Sequence, residues 1–529
     1  MPRDGLVQFR LLAPGNFRAF SRHDMHLATM VRIRPILICL LALGWLPPCL
    51  AGEVGANKVD LMADYFARTI PQPGQSDGYV RIRRLMAEKA LADAQDAGLG
   101  FLRVEVTGYR PVDIGDELND LKEWQDAPAS FWKTMDEMFN ALDDAHLQLA
   151  PTFIWSLGQF PSLGGDTISQ FVRDAASPSR QLLDRFITEF ITRYKDRNTI
   201  LFYELTNEMN LAADLDLSGN CRKQSGAPCI WDHFSTDEMI EFSRDVVSLI
   251  KSLDHNRLVS SGYALPRAAA AHLMLHPGFL PQGPDWRADT KDEFRRYLLR
   301  VHQPFDIVSV HVYPGADGDR FGRPPGEPDQ LAVDAASAAR AAGKKLFIGE
   351  FGDQGATPFI RRLLADVIRE KIDYAAIWVW EFYQTSTYRT YDTEPTADNV
   401  EPGYSDELIG LLGETQRSLG HAQPSRDPAA PPRVVLTWPL PCANVERPLD
   451  LAAVASDGAH GVKSVDFLID GNSLATVTTL PYATHFDPAK LGGTTAQIVA
   501  RAISQSGTMA DFESTVRLNG NAGPCTIAH

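Results

Sequence analysis

Seven short runs rich in β-branched and aromatic residues recur between Gly100 and Trp380, and helix-patterned sequence separates each from the next. They are Gly100–Val106, Leu147–Trp155, Ile200–Thr206, Leu258–Ser261, Ile307–Val312, Lys345–Glu350 and Tyr374–Trp380. Amphipathic stretches such as Phe131–Ala145 and Leu182–Tyr194 fall between them. Strands that alternate with helices make a parallel sheet, because each return to a parallel neighbour needs a crossover. An eighth run near Gly78–Arg83 brings the number to that of a sheet closed on itself. The expected fold is therefore α/β, a (β/α)8 TIM barrel over residues 53–420 with long loops, and a doubly wound open sheet is the alternative. No GxGxxG follows a strand and no P-loop occurs, so nucleotide folds have no fingerprint here.

The barrel is expected to end before a stiff linker at 421–433, HAQPSRDPAAPPR, with four prolines. The remainder, 434–529, has short alternating runs divided by turn signals. Val465–Ile469 precedes Asp470-Gly471, a hairpin marker. That spacing predicts a small all-β sandwich of immunoglobulin type. The run VDFLIDGNSLATVTTLPYATHFD resembles bacterial immunoglobulin-like modules appended to secreted enzymes. Its aromatics are Trp438, Tyr482 and a few Phe at core positions, which favours a spacer or stabilising role over sugar binding.

Residues 1–51 read as an export signal. Ile36–Trp45 is apolar, Arg32 and Arg34 precede it, and Leu50-Ala51-Gly52 supplies small residues for cleavage near Ala51. The run is too short to span a bilayer, which takes about 20 residues. A chain begun at Met30 would already carry a short basic leader. The mature protein is expected to be secreted or periplasmic, free of the membrane, and monomeric. It would retain Cys221, Cys229, Cys442 and Cys525, an even number that permits disulfides. Cys221 and Cys229 share one loop, and Cys442 and Cys525 flank the C-terminal module.

Hydrophobic residues at 44% and charged residues at 22% exclude a disordered chain, a collagen and a multi-span membrane protein. Lys+Arg 51 against Asp+Glu 67 leaves a net charge of −16, which offers no basic face to nucleic acid. No metal and no cofactor is expected, and Asp214 and Asp216 do not follow EF-hand spacing.

Barrel enzymes carry their reacting groups at the C-terminal ends of strands. Here those ends hold polar residues that a core would reject. Asn207 and Glu208 close the third of the seven runs, His311 and Tyr313 the fifth, and Glu350 the sixth. Arg103 lies in the first run, and Trp378 and Trp380 in the last. Two facing carboxyl groups are what glycosidic cleavage needs, one protonated and one ionised. Arg103 would favour the ionised form of one glutamate, and Tyr313 could donate to the same carboxylate. Asn207 could bond the hydroxyl beside the reacting carbon, and Trp380 could stack on a pyranose. Of Trp378 and Trp380, the later is expected in the cleft and the earlier in the core.

Together, TNEMN, HVYP and FIGEFG resemble family 5 glycoside hydrolases, a group of retaining (β/α)8 enzymes with glutamates on strands four and seven. The resemblance implies Glu208 as acid/base and Glu350 as nucleophile. Asn207, His311 and Tyr313 would be supporting polar residues, Arg103 the strand-two arginine and Trp380 the strand-eight tryptophan. HVYP is similar to the β-mannanase branch. One departure is the strand ending in Trp155, where family 5 cellulases often carry a histidine; Trp155 is a candidate second sugar platform. The implied substrate is a β-linked polysaccharide, β-1,4-mannan or glucan, cut internally because long loops build grooves. Two alternatives are a non-catalytic carbohydrate-binding protein on a degenerate barrel and a processing enzyme for the cell's own exopolysaccharide. Glu204 and Glu105 read as structural, and Glu381 as a possible substrate contact.

Overall fold

The computed structural model describes residues 52–66, 77–107, 121–221, 229–316, 318, 320–322, 327–382, 399–422, 426–520 and Cys525. The expected export signal at 1–51 lies outside them. Among the described residues no helix is long and apolar enough to cross a membrane.

Eight parallel strands close into a barrel in chain order. They are β1 (Glu53–Asn57), β2 (Phe101–Glu105), β3 (Gln148–Ile154), β4 (Tyr203–Thr206), β5 (Val259–Ser260), β6 (Ile307–Val312), β7 (Lys345–Phe351) and β8 (Tyr374–Ile377). The first strand is not where the sequence placed it. Gly78–Arg83 lies in the helix Asp77–Asp96, and Glu53–Asn57 joins β2 to β8 instead. The sequence EVGAN carries only two apolar side chains larger than glycine, too few to register as a strand.

The barrel interior is layered. Phe101, Ala150, Phe202, Ile307, Phe347 and Ala376 form an apolar cluster separate from the main core. Their chain neighbours, such as Leu102 and Leu149, belong to the shell between strands and helices. This is the period of two that sorts a strand into two faces. Two residues beyond that floor, inward positions turn polar: Arg103, Thr152, Glu204 and Ser309. The candidate site stands on this second layer.

Helix starts are locally encoded. Ser235 with Glu238 and Thr290 with Glu293 make capping boxes for Thr236–Leu253 and Lys291–Val301. Thr357 caps Pro358–Glu370, where Pro358 costs no hydrogen bond.

The C-terminal strands form a five-stranded and a three-stranded sheet. Their core takes in Tyr79, Ile82 and Met86 from the barrel helix Asp77–Asp96. The other face of that helix, Ala87, Ala90, Leu91 and Ala94, packs in the barrel core. One helix thus carries two apolar faces and belongs to both cores. A buried ionic seam runs beside it. Arg433 Nη1 donates to Asp93 Oδ1 at 2.7 Å and Asp96 Oδ2 at 2.6 Å. Arg426 Nη1 reaches Asp96 at 2.9 Å, which ties the linker at that residue to the barrel helix. Lys89 Nζ bridges Asp93 at 2.7 Å and Glu381 at 3.0 Å. In the sandwich Tyr482 is buried and Trp438 half-buried. Cys442 pairs with Cys525 at a Cα separation of 5.6 Å, and Cys221 with Cys229 at 5.5 Å.

Candidate active site

Arg103 organises the centre of the barrel. It is fully buried, and its guanidinium is shared among four side chains. Nε donates to Glu204 Oε1 at 2.5 Å, and Nη1 to Asn57 Oδ1 at 3.0 Å and Glu350 Oε1 at 2.8 Å. Nη2 donates to Asn207 Oδ1 at 2.9 Å. Burial disfavours its charge, but the Glu204 and Glu350 carboxylates outweigh that, so Arg103 is held cationic more firmly than a free arginine. Glu204 also accepts from Thr152 Oγ1 at 2.8 Å and stays in the barrel interior, as its structural reading anticipated.

Glu350 faces the barrel interior, on the side of Glu208, because β7 is irregular. His311 stands opposite Glu350 and Ser309 opposite Phe347, so Gly349 is one residue extra on β7. Such a bulge re-aims the following side chain. It lets Phe347 and Glu350, three apart, both face inward. Gly349 is required there, since a Cβ would lie 2.8 Å from His311 Nε2. Asn57 Nδ2 fixes the bulge by donating to the Gly349 carbonyl at 2.9 Å. The second Glu350 oxygen accepts from Tyr313 Oη at 2.8 Å. Burial and the adjacent Glu350 push the Tyr313 hydroxyl far above its ordinary range, so it remains a donor at any working pH.

Glu208 follows β4 in the left-handed region, φ 54°. Its N–H donates to the Gly262 carbonyl at 2.8 Å. Gly262 is itself at φ +71°, and a Cβ there would meet the Thr206 carbonyl at 1.6 Å. A non-glycine residue in that region persists only when its surroundings enforce it, a condition common at functional sites. His311 Nδ1 lies 2.8 Å from Glu208 Oε1 and 3.5 Å from Glu350 Oε1. With two carboxylate oxygens before it, Nδ1 carries the proton. Burial raises the Glu208 carboxyl, but the His311 hydrogen bond and charge, then Arg103 and Arg267, bring it below its usual value. One oxygen each of Glu208 and Glu350 and one nitrogen of His311 lie within 4.8 Å of one another. A cation could use that spacing too, but the Arg103 guanidinium already supplies positive charge against Glu350.

Four of the expected residues therefore meet Glu208 or Glu350 directly or through one contact: Arg103, Asn207, His311 and Tyr313. The tryptophans are arranged otherwise. Trp380 is fully buried, and its Nε1 donates to the Ala90 carbonyl at 2.9 Å. It presents no face to a sugar. Trp378, expected in the core, is the half-exposed one. The reason is that β8 ends at Ile377, so strand alternation does not extend to these two residues. Trp155 is buried with Trp378 stacked against it at 6.2 Å and the Arg103 guanidinium 4.9 Å from its ring. It backs those groups and offers no open platform. Glu381 is buried against Lys89 and not exposed to substrate.

A cleft of about 380 Å³ opens beside Glu208, lined by Arg267, Trp286, His311, Tyr313 and Arg320 among others. Trp286 is 56% exposed there. Neither Trp286 nor Arg267 was signalled by sequence pattern, because both sit in irregular segments between strands. Asn57 escaped notice with its strand.

Residues 166–384 match the family model described as cellulase (glycosyl hydrolase family 5), and residues 432–500 match that of a bacterial Ig domain. The first stretch spans β4 to β8 and so includes Glu208 and Glu350. No curated protein matches the chain. Among solved structures, it is similar to the endo-beta-1,4-mannanase from Thermotoga petrophila, at 15% identity over 89% of this chain and 98% of that one, with a TM-score of 0.46. It is also similar to the endo-1,4-beta-mannanase from Rhizomucor miehei, at 16% identity over 70% and 95%, with a TM-score of 0.46. Neither likeness decides what this chain acts on.

Proposed function

From a chain that contains a glycosyl hydrolase family 5 domain and a bacterial Ig domain, we propose an exported, retaining and endo-acting hydrolase of β-linked polysaccharide, β-1,4-mannan or β-1,4-glucan. The observation that carries this reading is the approach of Glu208 and Glu350 to within 4.8 Å, each in a different environment. Retaining enzymes hold their carboxyl groups about 5–5.5 Å apart, and inverting ones leave room for a water between them.

In this reading Glu350 is the nucleophile. Arg103 and Tyr313 each donate to one of its oxygens at 2.8 Å, which holds it in one orientation for attack. Attack forms a bond from Glu350 to the anomeric carbon as the bond to the leaving oxygen breaks. Glu208 gives its proton to that oxygen, then takes one from the water that releases the sugar. Glu208 suits this exchange because its side chain is 36% exposed, while that of Glu350 is only 8% exposed. A sugar seated over Glu208 excludes water and raises its pKa toward the protonated form the first step needs. Asn207 Oδ1 is occupied by Arg103, which turns its amide nitrogen toward substrate hydroxyls. Product analysis on mannan, cellulose, xylan and mixed-linkage glucan, with Glu350→Ala as control, tests the assignment. Cleavage neither of these four nor of a β-linked glycan that carries carboxylates, or cleavage that survives in the variant, overturns it.

A further inference from the structure

The described lining of the cleft beside Glu208 carries more cationic than anionic side chains, in a chain of net charge −16. Its described lining contains Arg267 and Arg320, and Glu208 is the one carboxylate in it. It touches the proposed proton donor and not Glu350, which makes it the leaving-group side of the scissile bond. Arg267 is held by its edge: Nε donates to the Leu211 carbonyl at 3.1 Å, and Nη2 donates to the same oxygen. A carbonyl fixes a guanidinium without cancelling its charge. Among the described residues no carboxylate lies within 4.0 Å of Arg267, whereas most of the other described arginines have such a partner. Trp286 stands exposed on the same cleft, a flat face of the kind that receives the C–H side of a sugar ring.

Resting on the hydrolase reading above, we propose that this cleft binds the leaving-group sugar of an acidic polysaccharide, with Trp286 under its ring and Arg267 pairing with a carboxylate that the sugar carries. A neutral glycan needs the aromatic face and has no use for an unpaired, immobilised guanidinium beside it. A planar fork is the group suited to a carboxylate. The charge of Arg267 also contributes to holding Glu208 low, beside His311 from β6 and Arg103 from β2. A substrate carboxylate on Arg267 would cancel that one contribution and assist protonation of Glu208 in the bound complex.

The test uses a β-linked glucuronate-containing oligosaccharide and its carboxyl-reduced, otherwise identical counterpart. Binding to full-length Glu350→Ala is measured by calorimetry, and kcat/KM is measured on the wild-type chain. The acid form is expected to be preferred by about 10-fold, a preference that weakens with salt. Arg267→Gln brings the acid-to-neutral ratio close to one, and Arg267→Lys keeps part of it. A ratio near one in the wild type overturns the inference, as does Arg267→Gln lowering both forms equally, which would make Arg267 a brace for the Leu211 loop only. Preferential binding of the acid form without cleavage of either would sink the hydrolase reading and leave the anion preference standing. Equal cleavage of both forms would do the reverse.

Discussion

His311 Nδ1 lies 2.8 Å from Glu208 Oε1, a contact that lowers the proton affinity of the proposed acid in the free protein. Burial alone would raise Glu208; the His311 hydrogen bond is the largest influence against it, and the balance leaves the carboxyl below its usual value. A carboxyl held low loses its proton earlier as pH rises. The alkaline limb of kcat/KM, which reports the free enzyme, is therefore expected on the acid side of neutrality. In His311→Asn the limb moves to higher pH. A limb that stays in place would mean that another group controls it.

The two glutamates should fail differently. Glu350→Ala removes the attacking group, with a loss of roughly 10⁴-fold or more on every substrate. Glu208→Ala removes a proton that an activated leaving group does not need. A dinitrophenyl glycoside should still release its phenolate in a burst, with turnover restored by azide. Equal loss on activated and natural substrates in both variants would contradict the division of roles.

Gly349→Ala places a methyl group 2.8 Å from His311 Nε2. Either the ring or the β7 bulge must give way, and both hold a reacting carboxyl. Overpacking of this kind costs about 1–3 kcal/mol of stability. The larger expected effect is on kcat, about 10-fold or more, because small misplacements at a reacting centre are amplified. Thermal melts and kinetics on the same sample separate the two. A variant with wild-type kcat would show that the bulge does not aim Glu350.

Trp378→Ala is expected to raise KM, and Trp380→Phe to lower stability with little change in KM. The first side chain is half-exposed and stacked against Trp155, and the second is buried with its indole N–H bonded to the Ala90 carbonyl. Losing that buried bond costs about 1–2 kcal/mol. The reverse pattern would restore Trp380 as the sugar platform.

Arg433→Met removes one of the two cations that meet buried Asp93, leaving Lys89, Ser456 and Glu381 beside it. Breaking a buried ionic contact costs about 3 kcal/mol. Because one helix serves both cores, calorimetry should record a single transition for the full chain, shifted down in the variant. Two independent transitions, with the variant affecting one, would show the sandwich to be a tethered module.

Much of this arrangement was legible because buried parallel strands are nearly continuous apolar runs, as in LAPTFI and KLFIGE, and because their ends bore charges no core would accept. What escaped has physical causes. EVGAN is a strand by virtue of its neighbours and not its own side chains. Gly78–Arg83 has strand-like residues, but Tyr79, Ile82 and Met86 recur at helical spacing and face the sandwich. The inward turn of Glu350 depends on an extra glycine in β7, which simple alternation would have pointed outward. Trp378 and Trp380 exchange places because the strand stops one residue before them. Arg267 and Trp286 lie in segments without periodicity, where only the folded chain brings them beside Glu208.

The stereochemistry of the first-formed product tests the central claim most directly. Proton NMR during the first minutes of hydrolysis should record new reducing ends as the β-anomer, with the α-anomer appearing only later by mutarotation. An α-anomer formed first would mean that water attacks directly, and would contradict Glu350 as a nucleophile.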